Sequence, residues 1–160
     1  MAEAPAVDAS PLIYLARTGN LPLLKALAPA FLIPEPVQDE IRAKDDAVLR
    51  DVEAAAPWLS VVLPPPIPET LLAWDLGKGE ASVLAWALSR PGTIAVLDDQ
   101  RARSYAQWHG IPFIGTLGIV LGAKRRGMIP LARPVVQDLI VRGMYLSKVI
   151  ADKALALVGE

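Results

Sequence analysis

The chain has 160 residues, 53% of them hydrophobic, with 16 Lys and Arg against 17 Asp and Glu, for a formal net charge of -1 and a pI of about 5.9. That length and apolar share suit one globular domain with a substantial core, expected over residues 1–160. The charge balance excludes a globally basic nucleic-acid binder, and the absence of Cys excludes disulfides, thiolate zinc sites and cysteine nucleophiles.

The first residues carry no basic n-region and no long apolar stretch, so no signal peptide is expected. Apolar runs are broken by Pro or charge well short of the ~18 residues a membrane helix needs, so the expectation is a cytoplasmic protein without a membrane span.

In chain order, a short apolar run ends at Asp8. Ser10-Pro11 then reads as an N-cap followed by Pro at the first helical position, opening a helix to about Thr18, with Gly19 as its stop. Residues 21–27 read as a second helix and 31–33 as a strand. Pro34 and Pro36 begin a helix that places Val37, Glu40 and Ile41 at spacings of three and four. A more polar helix follows over 45–55, then a strand over 58–63. Pro64-Pro65-Pro66-Ile67-Pro68 reads as a stiff extended connector.

The second half is more regular. Gly77-Lys78-Gly79-Glu80 leads into an apolar helix over 81–89, and a β-rich run over 93–97 ends at Asp98-Asp99. A helix over 100–108 stops at His109-Gly110, a strand spans 112–114, and Gly115-Thr116 opens a helix to Arg126. Helices over 135–142 and 147–157 follow. Apolar strands alternating with helices predict a three-layer α/β/α sandwich around a mainly parallel sheet.

In such sheets, sites lie beyond the carboxyl ends of strands. Asp8 and Asp98 each end a strand, and Thr116 immediately follows one. Taken singly, each acid has an ordinary explanation: Asp8 as a cap, Glu80 as a first-turn carboxylate, Asp98-Asp99 as an N-cap pair, Glu40 on a solvated face. Taken together, carboxylates at the mouth of a buried sheet repel one another and lose hydration, and a divalent cation removes that penalty. Mg²⁺ and Mn²⁺ suit oxygen ligands.

These residues give the chain its resemblance to a known family. The marks are Asp8-Ala9-Ser10-Pro11-Leu12-Ile13, Ile33-Pro34-Glu35-Pro36-Val37 with Glu40, and Gly79-Glu80-Ala81 entering an Ala-rich helix. Leu97-Asp98-Asp99 with Arg101, Arg103 and Ala106, then Gly115-Thr116-Leu117-Gly118, Ala123-Lys124 and Gly127-Met128-Ile129-Pro130, complete the series over about residues 6–158. The ordered series resembles the PIN-domain family, and within it a prokaryotic subgroup related to VapC-type toxin ribonucleases. The resemblance implies a Rossmann-like sandwich and Mg²⁺- or Mn²⁺-dependent cleavage of RNA, with the chain as toxin of a type II toxin–antitoxin pair. It also implies an antitoxin partner and a homodimer or higher oligomer.

Carried over residue by residue, the resemblance implies that Asp8, Glu40, Glu80 and Asp98 are catalytic metal ligands. It makes Asp99 a substitute or neighbour, and Ser10 and Thr116 supporting hydroxyls. Glu80 stands where many members have Asp, and the extra Asp many members carry near Gly115-Thr116 has no counterpart here.

Arg101, Arg103, Lys124, Arg125 and Arg126 are candidate RNA contacts as a group, although each alone reads better as part of a solvated or dipole-favoured helix face. Trp58, Trp74 and Trp108 could stack on bases or meet a partner, whereas Trp86 in its apolar run reads as core. His109, the only His, reads as a helix-end residue. Gly77-Lys78-Gly79 lacks the spacing of a phosphate loop. Two other readings stand beside the nuclease: a catalytically weak PIN-fold binding module that oligomerises or holds an antitoxin, and a generic phosphatase or flavodoxin-like nucleotide binder.

Overall fold

The computed structural model describes residues 2–160. Its centre is a five-stranded sheet in the order β3-β2-β1-β4-β5. The strands are β1 (Ala6–Val7), β2 (Phe31–Pro34), β3 (Leu59–Val62), β4 (Ala95–Val96) and β5 (Phe113–Ile114), and every pairing is parallel. Consecutive strand residues point to opposite faces. Ala6 and Val7 are both fully buried, as are Ala95 and Val96, so helices cover both faces of the central strands. The expected α/β sandwich with a parallel sheet is the fold observed.

The chain builds β1, β2 and β3 outward in one direction, then returns to lay β4 on the other side of β1. Strand order therefore reverses between β1 and β4, the place where open parallel sheets leave a crevice beyond their carboxyl ends. The Asp8 amide donates to the Val96 carbonyl at 3.0 Å. That bond fixes the end of β1 beside the end of β4, although 90 residues separate Asp8 from Asp98 in the sequence.

The helices are α1 (Ala9–Arg17), α2 (Glu35–Lys44), α3 (Asp46–Ala54), α4 (Glu69–Leu72), α5 (Lys78–Ser89), α6 (Gln100–Trp108), α7 (Thr116–Arg125), α8 (Arg133–Val141) and α9 (Lys148–Ala156). Helix α5 is the central one. Every residue from Ala81 to Ala87 is buried, and α5 packs against β1, β2, β4, α2 and α6. A helix apolar on all sides belongs in an interior. Its one buried hydroxyl, Ser82, donates to the Lys78 and Gly79 carbonyls at 2.6 and 3.0 Å, whereas the Trp86 Nε1 on the same helix is buried without a partner among the described residues.

Three details depart from the sequence-based expectation. Residues Leu21–Ala26 form a 3-10 helix in place of an α-helix; Pro22 supplies no amide, and short 3-10 pieces are common connectors. After the proline connector comes the one-turn helix α4, which periodicity over four residues cannot reveal. Helix α1 starts at Ala9, so Asp8 and not Ser10 holds the N-cap position.

Candidate metal centre

Asp8 leaves β1 with extended backbone, φ -83° and ψ 170°, the usual conformation of a capping residue. Its carboxylate nevertheless makes no capping bond to α1. It is 1% exposed, and Oδ1 is buried with no hydrogen-bond partner among the described residues. An unpaired carboxylate oxygen in that setting is costly. Burial, foremost, pushes the Asp8 carboxyl well above the ordinary range; the charges of Glu80, Glu40 and Asp98 add to it, and the nearby Ala9 amide offsets part of it.

Glu40 and Glu80 approach from two helices. Glu40 sits on α2, half-buried, with Lys44 3.8 Å from its Oε1. Glu80 lies in the first turn of α5, and burial followed by Glu40 and Asp99 raises its carboxyl above the usual value. Gly79 lets these acids look at one another. A Cβ on it would stand 3.0 Å from Asp8 Oδ1 and 3.8 Å from Glu40 Oε2. Any larger residue would crowd both carboxylates with its Cβ. The sequence shows Gly79 only as part of a turn.

Asp98 is held differently. Its Oδ1 accepts from the Thr116 amide at 2.7 Å, and its Oδ2 from the Thr116 hydroxyl at 2.6 Å. Thr116 is fully buried, and its hydroxyl serves the carboxylate's position. Gly115 is needed beside it, because a Cβ there would lie 2.9 Å from Asp98 Oδ1. Asp99 caps α6, accepting from the Ala102 amide at 2.9 Å. The cap-pair reading therefore describes Asp99 and not Asp98.

Ser10, Glu80, Asp98 and Asp99 line a groove of about 950 Å³ beyond the carboxyl ends of β4 and β5. Asp8 and Glu40 are not in its lining; Asp8 lies beneath the surface. Of the basic candidates, Arg103 lines the groove. Arg101 is tied to the Trp74 carbonyl at 2.7 Å, and Lys124 to the Pro130 carbonyl at 2.8 Å and Glu160 at 3.3 Å. Lys124 and Arg125 occupy the last turn of α7, with Arg126 just beyond it, roughly 12 Å along the helix from Thr116. No Trp lines the groove. Trp86 is buried, Trp58 and Trp74 pack edge-on against Phe31 and Tyr105, and Trp108 is exposed. His109 ends α6, stacked on Tyr105 at 4.1 Å, and borders a small cavity at the amino ends of β4 and β5.

A family model described as a PIN domain matches residues 5–160. The chain belongs to the PIN-domain family. No curated protein and no solved structure matches it significantly. PIN domains have a nuclease-type fold, and this one carries its acids at the position where such a sheet opens.

The donors of this PIN domain can be tested for a divalent cation. All are oxygens, the set Mg²⁺ and Mn²⁺ prefer, and the orphaned Asp8 Oδ1 is an acceptor without a donor. Among the described residues, however, no three acids converge as a closed ligand cage. Mg²⁺ commonly retains several waters and takes only one or two carboxylates directly, so the oxygen set fits such an ion without a closed cage. Among the described residues, no helix is long and apolar enough to cross a membrane.

Proposed function

We propose that this PIN domain is a metal-dependent endoribonuclease that takes Mg²⁺ or Mn²⁺ at the acids Asp8, Glu40, Glu80 and Asp98, one or two of them directly and the others through water. The observation that carries the proposal is Asp8 Oδ1: a buried carboxylate oxygen, unpaired, with three further acids around it. A fold does not keep such a group for stability, because an uncompensated buried charge destabilises. When bound, the cation would neutralise the acids and supply Lewis acidity toward a phosphodiester.

The chain's own residues divide the remaining work. Glu80 and Asp98 line the groove and are the acids that meet an RNA backbone, while Asp8 and Glu40 stand behind them. Thr116 fixes both oxygens of Asp98, so that carboxylate is oriented before substrate arrives. Asp99 is a helix cap at the rim.

Activity on a single-stranded RNA should appear with Mg²⁺ or Mn²⁺ and vanish under EDTA. It should fall by at least about 100-fold in Asp8→Asn, the usual scale for loss of a group that stabilises developing charge. Equal cleavage with and without metal, or in the variant, rejects the proposal.

The toxin role in a type II pair, with an antitoxin partner, a homodimeric or larger assembly and a cytoplasmic location, extends this reading. Induced expression should arrest growth for the wild type but not for Asp8→Asn. A second reading, a catalytically weak binding module, is favoured by the open spacing of the acids and by the full engagement of Asp98 with Thr116. Isothermal titration with Mn²⁺ separates the two. Binding lost in Asp98→Asn supports the enzyme, and no binding supports the module.

A further inference from the structure

Arg103 and Tyr145 are two groove residues whose chemistry the metal centre does not use. The acids that line the groove, Glu80, Asp98 and Asp99, would repel a polyanion. Arg103 is the one cation among the described lining residues. A Cβ on Gly115 would lie 3.6 Å from Arg103 Nη1 and 2.9 Å from Asp98 Oδ1, so the guanidinium stands near the Asp98 carboxylate. It forms no ion pair and no hydrogen bond among the described residues. It rests instead over the Phe113 ring, 5.1 Å from its centroid. A guanidinium held over an aromatic face keeps its donors free, a state suited to a phosphate.

Tyr145 borders the same groove from the turn between α8 and α9 and is 98% exposed. An aromatic ring almost wholly in water has no role in the core. At the lip of a groove that holds one free Arg, its flat face matches an unpaired base.

We propose that Arg103 and Tyr145 form a nucleotide subsite. Arg103 takes a phosphate beside the carboxylates, and Tyr145 stacks on an unpaired base of the bound strand. This rests on the ribonuclease reading above.

Fluorescence anisotropy tests it, using a labelled single-stranded RNA of about eight nucleotides and the matching duplex, with Ca²⁺ in place of Mg²⁺ to supply oxygen-coordinated charge. The wild type should prefer the single strand. Tyr145→Ala should weaken that binding about ten-fold, the scale of one stacked base, and Tyr145→Phe should retain it. Arg103→Ala should weaken binding and flatten its salt dependence. Because Tyr145 is so exposed, the Ala variant should keep the wild-type melting temperature. Unchanged RNA affinity in Tyr145→Ala overturns the subsite and leaves the nuclease reading in place. If that variant also loses self-association in sedimentation, the ring serves a protein contact instead. A wild type that binds neither RNA form overturns the subsite and counts against the ribonuclease as well.

Discussion

At the scale of residues, Asp8 and Asp98 show how the same side chain at equivalent strand ends meets opposite hydrogen-bonding surroundings. Thr116 gives Asp98 two short hydrogen bonds, whereas Asp8 is buried with Oδ1 unpaired. Burial and neighbouring acids raise the Asp8 carboxyl, so between its ordinary value and its raised value the folded state binds more protons than the unfolded chain. By linkage, stability then falls as pH rises through that window. Asp8→Asn removes the charge and keeps the shape. Under EDTA near neutral pH it should melt a few degrees above the wild type, about the shift that 1 kcal/mol gives in a domain of this size. The advantage should shrink as pH falls and Asp8 takes up its proton. A variant less stable than the wild type at neutral pH would show that Asp8 is satisfied by contacts other than a cation.

At the scale of elements, α5 carries the tightest coupling between packing and site. Gly79 lies at its second position, facing Asp8 and Glu40. Gly79→Ala should weaken Mn²⁺ binding at least about ten-fold in calorimetry, because the new methyl would crowd the Asp8 and Glu40 carboxylates. The helix should survive, since Ala is about 1 kcal/mol better than Gly in helices. Undiminished Mn²⁺ affinity would place the cation elsewhere. Sequence patterning revealed α5 as an apolar helix because its buried run is long. It did not reveal Gly79 as an opening, because that depends on α2 lying across from it. The same limit applies to Glu160, whose carboxylate accepts from the Ala132 and Arg133 amides at 2.6 and 3.0 Å and so closes the start of α8. A cap supplied from 27 residues away leaves no local pattern. Asp99, which caps its own helix, was legible as a member of a cap pair.

At the scale of the molecule, the alternation of strands and helices was enough for the sheet type, and strand ends were enough to nominate Asp8 and Asp98. Their adjacency was not legible, because it follows from the strand order and from the Asp8 amide bonded to Val96. Nor could sequence sort the basic residues: charge alone does not show that Lys124 is spent on Pro130 and Glu160 while Arg103 is left free in the groove. The centre joins β1, α2, α5 and β4, so an ion bound there would stabilise the native state as a whole. One site occupied at a free concentration 100 times its Kd contributes about 2.7 kcal/mol, which raises Tm by roughly 5–11 °C in a domain of this length. The wild type should show that rise with Mn²⁺, and Asp8→Asn should not, although it begins from the higher melting temperature under EDTA. The two effects have opposite signs at one atom. If Mn²⁺ raised the melting temperature of both proteins equally, the ion would be binding outside the acidic centre, and the unpaired Oδ1 would lose its explanation.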